Sequence, residues 1–251
     1  MRSVRAPVVA NRELAPGLFS LWAEHARTAR DARPGQFLNV KVSDGPDPVL
    51  RRPISVADVE KDRLRLVFRA VGRGTGLLGR LKPGDEVDVL GPLGRPVRVP
   101  VKRNAIVCGG GVGIAPLLLL ARYLRRANRV TVLLGARSRE ELILDREFRR
   151  LGTNLEFATD DGSFGHRGPV TELLGPALEK ADNPVVYACG PRPMLRELVA
   201  RAGDVPVWGF VEERMGCGTG ICYCCAVKRR TGGYVRFCQE GPVVKLNDIE
   251  L

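Results

Sequence analysis

The stretch Ala105-Ile106-Val107-Cys108-Gly109-Gly110-Gly111-Val112-Gly113-Ile114-Ala115-Pro116 decides the reading of this 251-residue chain. Four apolar residues form a short buried run. A glycine turn follows, and Leu117, Leu120, Ala121 and Leu124 then recur at helical spacing. A strand, a glycine turn and a helix in that order make a phosphate-binding unit. Glycine lets the backbone approach a pyrophosphate, and the N–H groups that open the helix face its charge. Pro116 suits the first helical turn, where a missing N–H costs nothing. The pattern from Gly111 is G-x-G-x-x-P rather than G-x-G-x-x-G. Gly109, Gly110, Gly111 and Gly113 are therefore candidate nucleotide-binding residues.

Outward from this unit, residues 101–210 repeat the alternation. Apolar runs at Val130–Leu134, Leu155–Ala158, Val185–Ala188 and Val205–Trp208 are separated by helical patterns. That order predicts a doubly wound parallel sheet, which takes its ligands at the C-terminal ends of its strands. Cys189-Gly190-Pro191 closes one such strand and is a second candidate nucleotide contact. The strand after the glycine turn ends in Gly135-Ala136-Arg137-Ser138-Arg139, where no acid stands to receive a ribose hydroxyl. The arginines suit a 2′-phosphate, so the chemistry leaves NAD and NADP both open.

Residues 1–100 read differently. Short alternating runs at Leu18–Trp22, Phe37–Val42, Leu64–Phe68 and Glu86–Leu90 are separated by Pro34-Gly35, Asp44-Gly45-Pro46, Pro83-Gly84-Asp85 and Gly91-Pro92. This predicts a small antiparallel barrel or sandwich interrupted by one helix over Thr75–Leu81. Arg51-Arg52-Pro53-Ile54-Ser55-Val56 places an arginine and a hydroxyl where both reach a diphosphate or a ribityl chain. In Gly72-Arg73-Gly74-Thr75-Gly76, Thr75 is the expected N-cap of a helix whose start faces phosphate.

Residues 211–251 carry five of the seven cysteines. Cys217, Cys222, Cys225 and Cys238 follow the spacing C-x4-C-x2-C with a more distant fourth, which is that of a plant-type [2Fe–2S] site. Gly216, Gly218 and Gly220 alternate through the loop and let backbone N–H groups approach the cluster sulfurs. Cys224 falls outside this register. A zinc site usually shows paired C-x2-C units, and only one is present. The odd cysteine count and the absence of a secretory run argue against disulfides. The segment is too short and glycine-rich to build its own core, so it is expected to be organised by its cluster.

The formal net charge of +12 has no matching basic stripe, and aromatic residues are only 6%. Arginines such as Arg73, Arg122, Arg149 and Arg229 are scattered among acids, which is the composition of a solvated surface and not of a nucleic-acid groove. The most apolar stretch, Ile114 to Leu124, is too short to cross a bilayer. A cytoplasmic protein with neither nucleic-acid nor membrane partners is the expectation.

Taken together, Arg52-Pro53-Ile54-Ser55, Gly74-Thr75, Gly109-Gly110-Gly111-Val112-Gly113, Cys189-Gly190-Pro191, Glu213-Arg214-Met215-Gly216-Cys217-Gly218 and Cys238-Gln239-Glu240-Gly241-Pro242-Val243 resemble the ferredoxin–NADP reductase superfamily. More closely they resemble the electron-transfer subunits of type B dihydroorotate dehydrogenase, over essentially the whole length. The resemblance implies an FAD-binding β-barrel (1–100), an NAD-binding α/β domain (101–210) and a [2Fe–2S] module (211–251). It assigns FAD to Arg52, Pro53, Ile54, Ser55, Val67, Phe68, Arg69, Gly74 and Thr75, and the cluster to Cys217, Cys222, Cys225 and Cys238. Ile54 stands where the wider superfamily often has tyrosine, which fits this subfamily.

The resemblance further implies an NAD-linked oxidoreductase subunit of de novo pyrimidine biosynthesis. Electrons leave dihydroorotate through FMN on a separate catalytic subunit, cross the cluster singly, collect on FAD and leave as hydride to NAD⁺. A heterotetramer of two relay and two FMN subunits is expected, with no catalytic acid or base in this chain. His166 is read as a loop residue on the nicotinamide side. The alternative is the small subunit of another FAD/[2Fe–2S] relay, such as an NADH-dependent ferredoxin–NADP oxidoreductase or a sulfide dehydrogenase. Those usually lack the Glu-Arg-Met-Gly-Cys-Gly approach to the first cysteine.

Overall fold

In the computed structural model, which describes residues 3–251, six antiparallel strands close into a barrel. They are β1 (Ser3–Ala15), β2 (Leu18–Glu24), β3 (Phe37–Lys41), β4 (Arg52–Glu60), β5 (Arg63–Arg69) and β6 (Glu86–Leu93), hydrogen-bonded in the order β1-β2-β5-β4-β3-β6. Two short helices lie in the connections, α1 (Ala26–Asp31) and α2 (Arg73–Gly79). Alternation fixes the inside: Leu64, Leu66 and Phe68 of β5 join the barrel core, while Arg65 and Val67 face the other way. Arg65 is nevertheless buried, held by the Ser20 hydroxyl at 2.8 Å and Glu147 at 2.7 Å.

Two elements of this half depart from the sequence reading. β1 does not alternate cleanly: only Ala6, Val8 and Ala15 are buried, Pro7 interrupts it, and irregularities bend it so that it pairs first with β6 and then with β2. α1 is capped by His25, whose Nδ1 accepts from the Thr28 N–H at 3.2 Å, a role more often given to Ser or Asp.

The second half is a seven-stranded sheet. Its strands are β7 (Asn104–Gly110), β8 (Arg129–Ala136), β9 (Asn154–Thr159), β10 (His166–Arg167), β11 (Pro184–Cys189) and β12 (Val207–Phe210), parallel to one another, with α3 (Ile114–Leu124), α4 (Asp145–Arg150), α5 (Leu174–Glu179) and α6 (Arg192–Ala202) between them. β7 shows why its sequence is a continuous apolar run. Ala105 and Val107 pack on the α3 side, Ile106 and Cys108 on the other, and both faces are covered.

The cysteine segment folds as a hairpin, β13 (Ala226–Lys228) with β14 (Tyr234–Arg236), then α7 (Phe237–Glu240) and β15 (Val243–Lys245). β15 pairs antiparallel with β12, Trp208 opposite Lys245 and Phe210 opposite Val243, and so forms the last strand of the sheet. Among the described residues no helix is long and apolar enough to cross a membrane.

α3 is apolar nearly all round because it is wedged between the two halves. Leu117, Leu118 and Leu120 belong to the core of the sheet and Leu119 to that of the barrel. Its charged Arg122 pairs with Asp58 of β4 at 2.7 Å. Burial lifts the Asp58 carboxyl from 3.8 to about 6, against the pull of Arg122. The folded chain thus holds a proton that the unfolded chain releases between those values. The contribution favours folding below pH 3.8 and is lost as pH rises through about 6. We predict that the stability of the natural chain relative to Asp58→Asn falls by about 3 kcal/mol on going from acid to neutral pH. Denaturant unfolding across that range checks it; a constant difference would show that the carboxylate is not the titrating group.

Candidate functional site

At the C-terminal ends of β7, β8 and β11 the sheet opens into a cavity of about 810 Å³. Gly110, Gly111 and Gly113 line it from one side, Gly135, Ala136 and Arg137 from the end of β8, and Gly190 and Pro191 from the end of β11. Gly113 is where the architecture is tightest. A Cβ there would stand 2.5 Å from the Cys189 carbonyl oxygen and 2.9 Å from the Gly190 nitrogen, both backbone. Gly109 and Cys189 stand behind the wall. Gly109 meets Leu117 and Ile114 of α3, and Cys189 is buried, its thiol pushed up by burial and then by Glu212.

One departure concerns the end of β8. The sequence shows no acid there, yet the turn at Arg139–Glu141 folds Glu141 back onto Arg137, which donates Nε to Glu141 Oε2 at 3.1 Å and also pairs through Nη2. Glu141 also receives Arg69 at 3.5 Å. A second departure is His166. It lies on β10 at the far edge of the sheet, beside Glu172 at 2.6 Å, and does not line the cavity.

A second cavity, of about 340 Å³, lies between barrel and sheet. Arg52, Pro53, Ile54 and Ser55 of β4, Val67, Phe68 and Arg69 of β5, and Thr75 of α2 all line it. Gly74 does not, but the Arg52 guanidinium lies against it, 2.7 Å from where a Cβ would be. Thr75 is not the N-cap. Gly72 occupies that position, and the Thr75 hydroxyl reaches back to accept from the Val71 N–H at 3.0 Å and to donate to the Gly72 carbonyl at 3.3 Å.

Residues that the sequence reading did not assign to the flavin also line this cavity, among them Phe37, Val112, Glu212, Glu213, Met215 and Pro242. Arg69, Val112 and Glu212 line both cavities, so the two spaces meet at these three side chains. Burial raises the Glu212 carboxyl. Glu213 is held by Arg192. The signal available in the sequence was the adjacent acid pair just before the cysteine loop.

The hairpin of the tail explains the long last gap in the cysteine spacing. It returns the chain so that the Cys238 N–H points at Cys225 Sγ, 3.4 Å away. At the other end, the Cys217 N–H points at Cys222 Sγ at 3.4 Å and the Thr219 N–H at Cys217 Sγ at 3.3 Å. The four thiols therefore stand in two pairs, Cys217 with Cys222 and Cys225 with Cys238, with backbone donors aimed at the sulfurs. This donor set fits a [2Fe–2S] cluster, which these four thiolates would hold. Gly218, at φ +71°, leaves room for Asn39 of β3, whose amide donates to the Cys217 carbonyl at 3.3 Å. Against burial, hydrogen bonds from Thr219 and Cys222 bring the Cys217 thiol down to about 5, whereas burial and Cys225 push Cys238 up to about 12. The outer side is open: Cys222 and Cys224 are exposed, with Ile221 and Tyr223 projecting beside them.

Residues 212–250 match the iron–sulfur cluster binding domain of dihydroorotate dehydrogenase B, and residues 107–199 match the oxidoreductase NAD-binding domain. The chain is 40% identical to the dihydroorotate dehydrogenase B (NAD(+)) electron transfer subunit of Desulforamulus reducens, over 95% of this chain and 94% of that one. It is 38% identical to that of Geobacillus kaustophilus, over 98% of both. Among solved structures, an NADH-dependent reduced ferredoxin–NADP oxidoreductase superposes with a TM-score of 0.90 at 32% identity, covering 98% of this chain and 89% of that one. A ferredoxin NADP⁺ reductase from Neisseria gonorrhoeae shares the fold, with a TM-score of 0.67 at 19% identity over 80% of this chain and 90% of that one. On its tail, its nucleotide-binding half and its full-length likeness, the chain belongs to the family of dihydroorotate dehydrogenase B electron transfer subunits.

Proposed function

We propose that this chain is the relay through which a dihydroorotate-oxidising catalytic subunit delivers electrons to NAD⁺ in pyrimidine synthesis. The observation that carries this reading is the continuity of the site. The cluster loop reaches the barrel cavity through Glu213 and Met215, and that cavity meets the sheet cavity at Arg69, Val112 and Glu212. Cys217, Cys222, Cys225 and Cys238 would hold the [2Fe–2S] cluster; Arg52, Ser55 and Thr75 with the β5 residues would hold FAD; Gly110, Gly111, Gly113 and Pro191 would hold the dinucleotide. When bound, the cluster passes single electrons and the flavin converts pairs of them into a hydride.

The chain's own residues position and insulate. Pro53, Ile54, Val67 and Phe68 give the barrel cavity apolar walls that exclude water from a flavin ring. The Arg52 guanidinium, anchored on the Leu50 carbonyl at 2.5 Å, supplies fixed positive charge for a diphosphate. Arg236 ties the cluster loop down by donating to the Gly220 carbonyl at 3.0 Å and lying over Tyr223. The exposed Cys222 side, with Ile221 and Tyr223, is the face offered to the partner. In this reading the partner carries FMN, two copies of each subunit assemble, and the complex is cytoplasmic.

Reconstitution tests this. Mixed with an FMN-containing dihydroorotate dehydrogenase subunit, the chain should make NAD⁺ reduction depend on dihydroorotate and co-elute as one assembly. The likeness to the ferredoxin–NADP oxidoreductase supports a second reading. Failure with dihydroorotate, together with coupling of NADH to ferredoxin and NADP⁺ in another assembly, would select it.

A further inference from the structure

The end of β8 holds two arginines whose fates differ. Arg139 is committed away from the cavity, donating to Asp145 at 3.1 Å and lying over the Phe164 ring at 4.8 Å. Arg137 lines the cavity beside Gly135 and Ala136. In a sheet of this kind the pyrophosphate sits at the turn after the first strand and the adenosine ribose at the end of the next. Arg137 therefore occupies the place from which an arginine meets a ribose 2′-phosphate. Its charge is already matched: the Nε–Nη2 edge of its guanidinium donates to both oxygens of Glu141, which also draws Arg69 from the barrel. Asp160, a second acid lining the cavity, adds its negative charge near Arg137.

Resting on the placement of the dinucleotide in this cavity, we infer that Glu141 selects an unphosphorylated ribose, making this chain specific for NAD over NADP by neutralising Arg137 and Arg69. Two effects act together. A carboxylate held by two arginines still has lone pairs to accept from ribose hydroxyls, which suits NAD. A 2′-phosphate would meet that carboxylate and Asp160 and find no guanidinium without a partner. The side chain of Glu141 is 18% exposed, whereas that of Arg137 is 72% exposed, so the acid is the fixed member of the pair and the arginine the adaptable one. Removing the acid's charge should release a phosphate-binding arginine without disturbing the walls.

The test uses the full chain with its flavin and cluster and measures binding of two fragments, 5′-ADP and 2′,5′-ADP, by calorimetry. The natural chain should bind 5′-ADP and discriminate against 2′,5′-ADP. Glu141→Gln should raise the affinity for 2′,5′-ADP relative to 5′-ADP by about tenfold or more. Adding Arg137→Ala should remove that gain; its exposed side chain makes this a safe variant for folding. The ratio of NADH to NADPH in reducing the bound flavin should shift in the same sense. Unchanged discrimination in Glu141→Gln, or a gain that survives Arg137→Ala, overturns the inference and leaves the nucleotide site standing. A natural chain that binds neither fragment overturns the site itself.

Discussion

Cys217→Ser is expected to leave a yellow protein in place of a brown one. Cys217 is the member of the outer pair whose backbone N–H points at Cys222 Sγ and whose own sulfur receives the Thr219 N–H. A serine oxygen is a harder, more basic ligand, and iron–sulfur clusters are held by thiolates. Loss of a ligand should exceed the roughly 10–100-fold cost of losing a supporting hydrogen bond, so electron flow from the catalytic partner should fall by well over a hundredfold. Flavin reduction by NADH, which uses the two cavities and not the cysteines, should persist. One spare thiol lies close by: the Cys224 Cβ is 3.9 Å from where a Cβ on Gly216 would stand. The experiment therefore includes Cys217→Ser/Cys224→Ser, in which no substitute ligand is available, and Cys224→Ser alone, which should keep its cluster. Iron content, the visible spectrum and coupled turnover are the readouts. A double variant with full iron and full coupled rate would mean that Cys217 is not a ligand.

Gly113→Ala is expected to be nearly as severe at the other end of the relay. The new methyl would lie 2.5 Å from the Cys189 carbonyl oxygen and 2.7 Å from its carbon. Neither is the end of a flexible side chain, so the turn after β7 and the end of β11 must separate. Overpacking of this kind costs about 1–3 kcal/mol, which in a chain of this size lowers Tm by roughly 2–10 °C. The functional loss should be larger, because both separated segments line the cavity proposed for the dinucleotide. NADH-dependent flavin reduction should drop by about a hundredfold, with the cluster spectrum unchanged. Normal NADH kinetics in a destabilised Gly113→Ala would uncouple the close approach from nucleotide binding.

The sequence made different parts of this molecule legible for different reasons. β7 and its glycine turn were readable because parallel central strands are apolar on both faces and their turns need glycine. The cysteine spacing was readable because cluster geometry tolerates few alternatives. β1 was not, since Pro7 and its irregular register erase the alternation on which strand reading depends. α1 was missed because a histidine caps it. Thr75 was placed at the wrong helical position because its hydroxyl reaches back to the cap from inside the helix, which a residue count does not distinguish. Glu141 was missed at the end of β8 because a tight turn, and not the strand itself, carries it back to Arg137. Arg69, Val112 and Glu212 lie far apart in the chain, and only the docking of barrel on sheet brings them to one wall.

β15 has one more consequence. Without it, the backbone of β12 would present an open row of donors and acceptors, the kind of rim on which chains template one another. The strand that covers it follows Cys238 by only a few residues, so one short stretch of chain both closes the cysteine set and seals that rim.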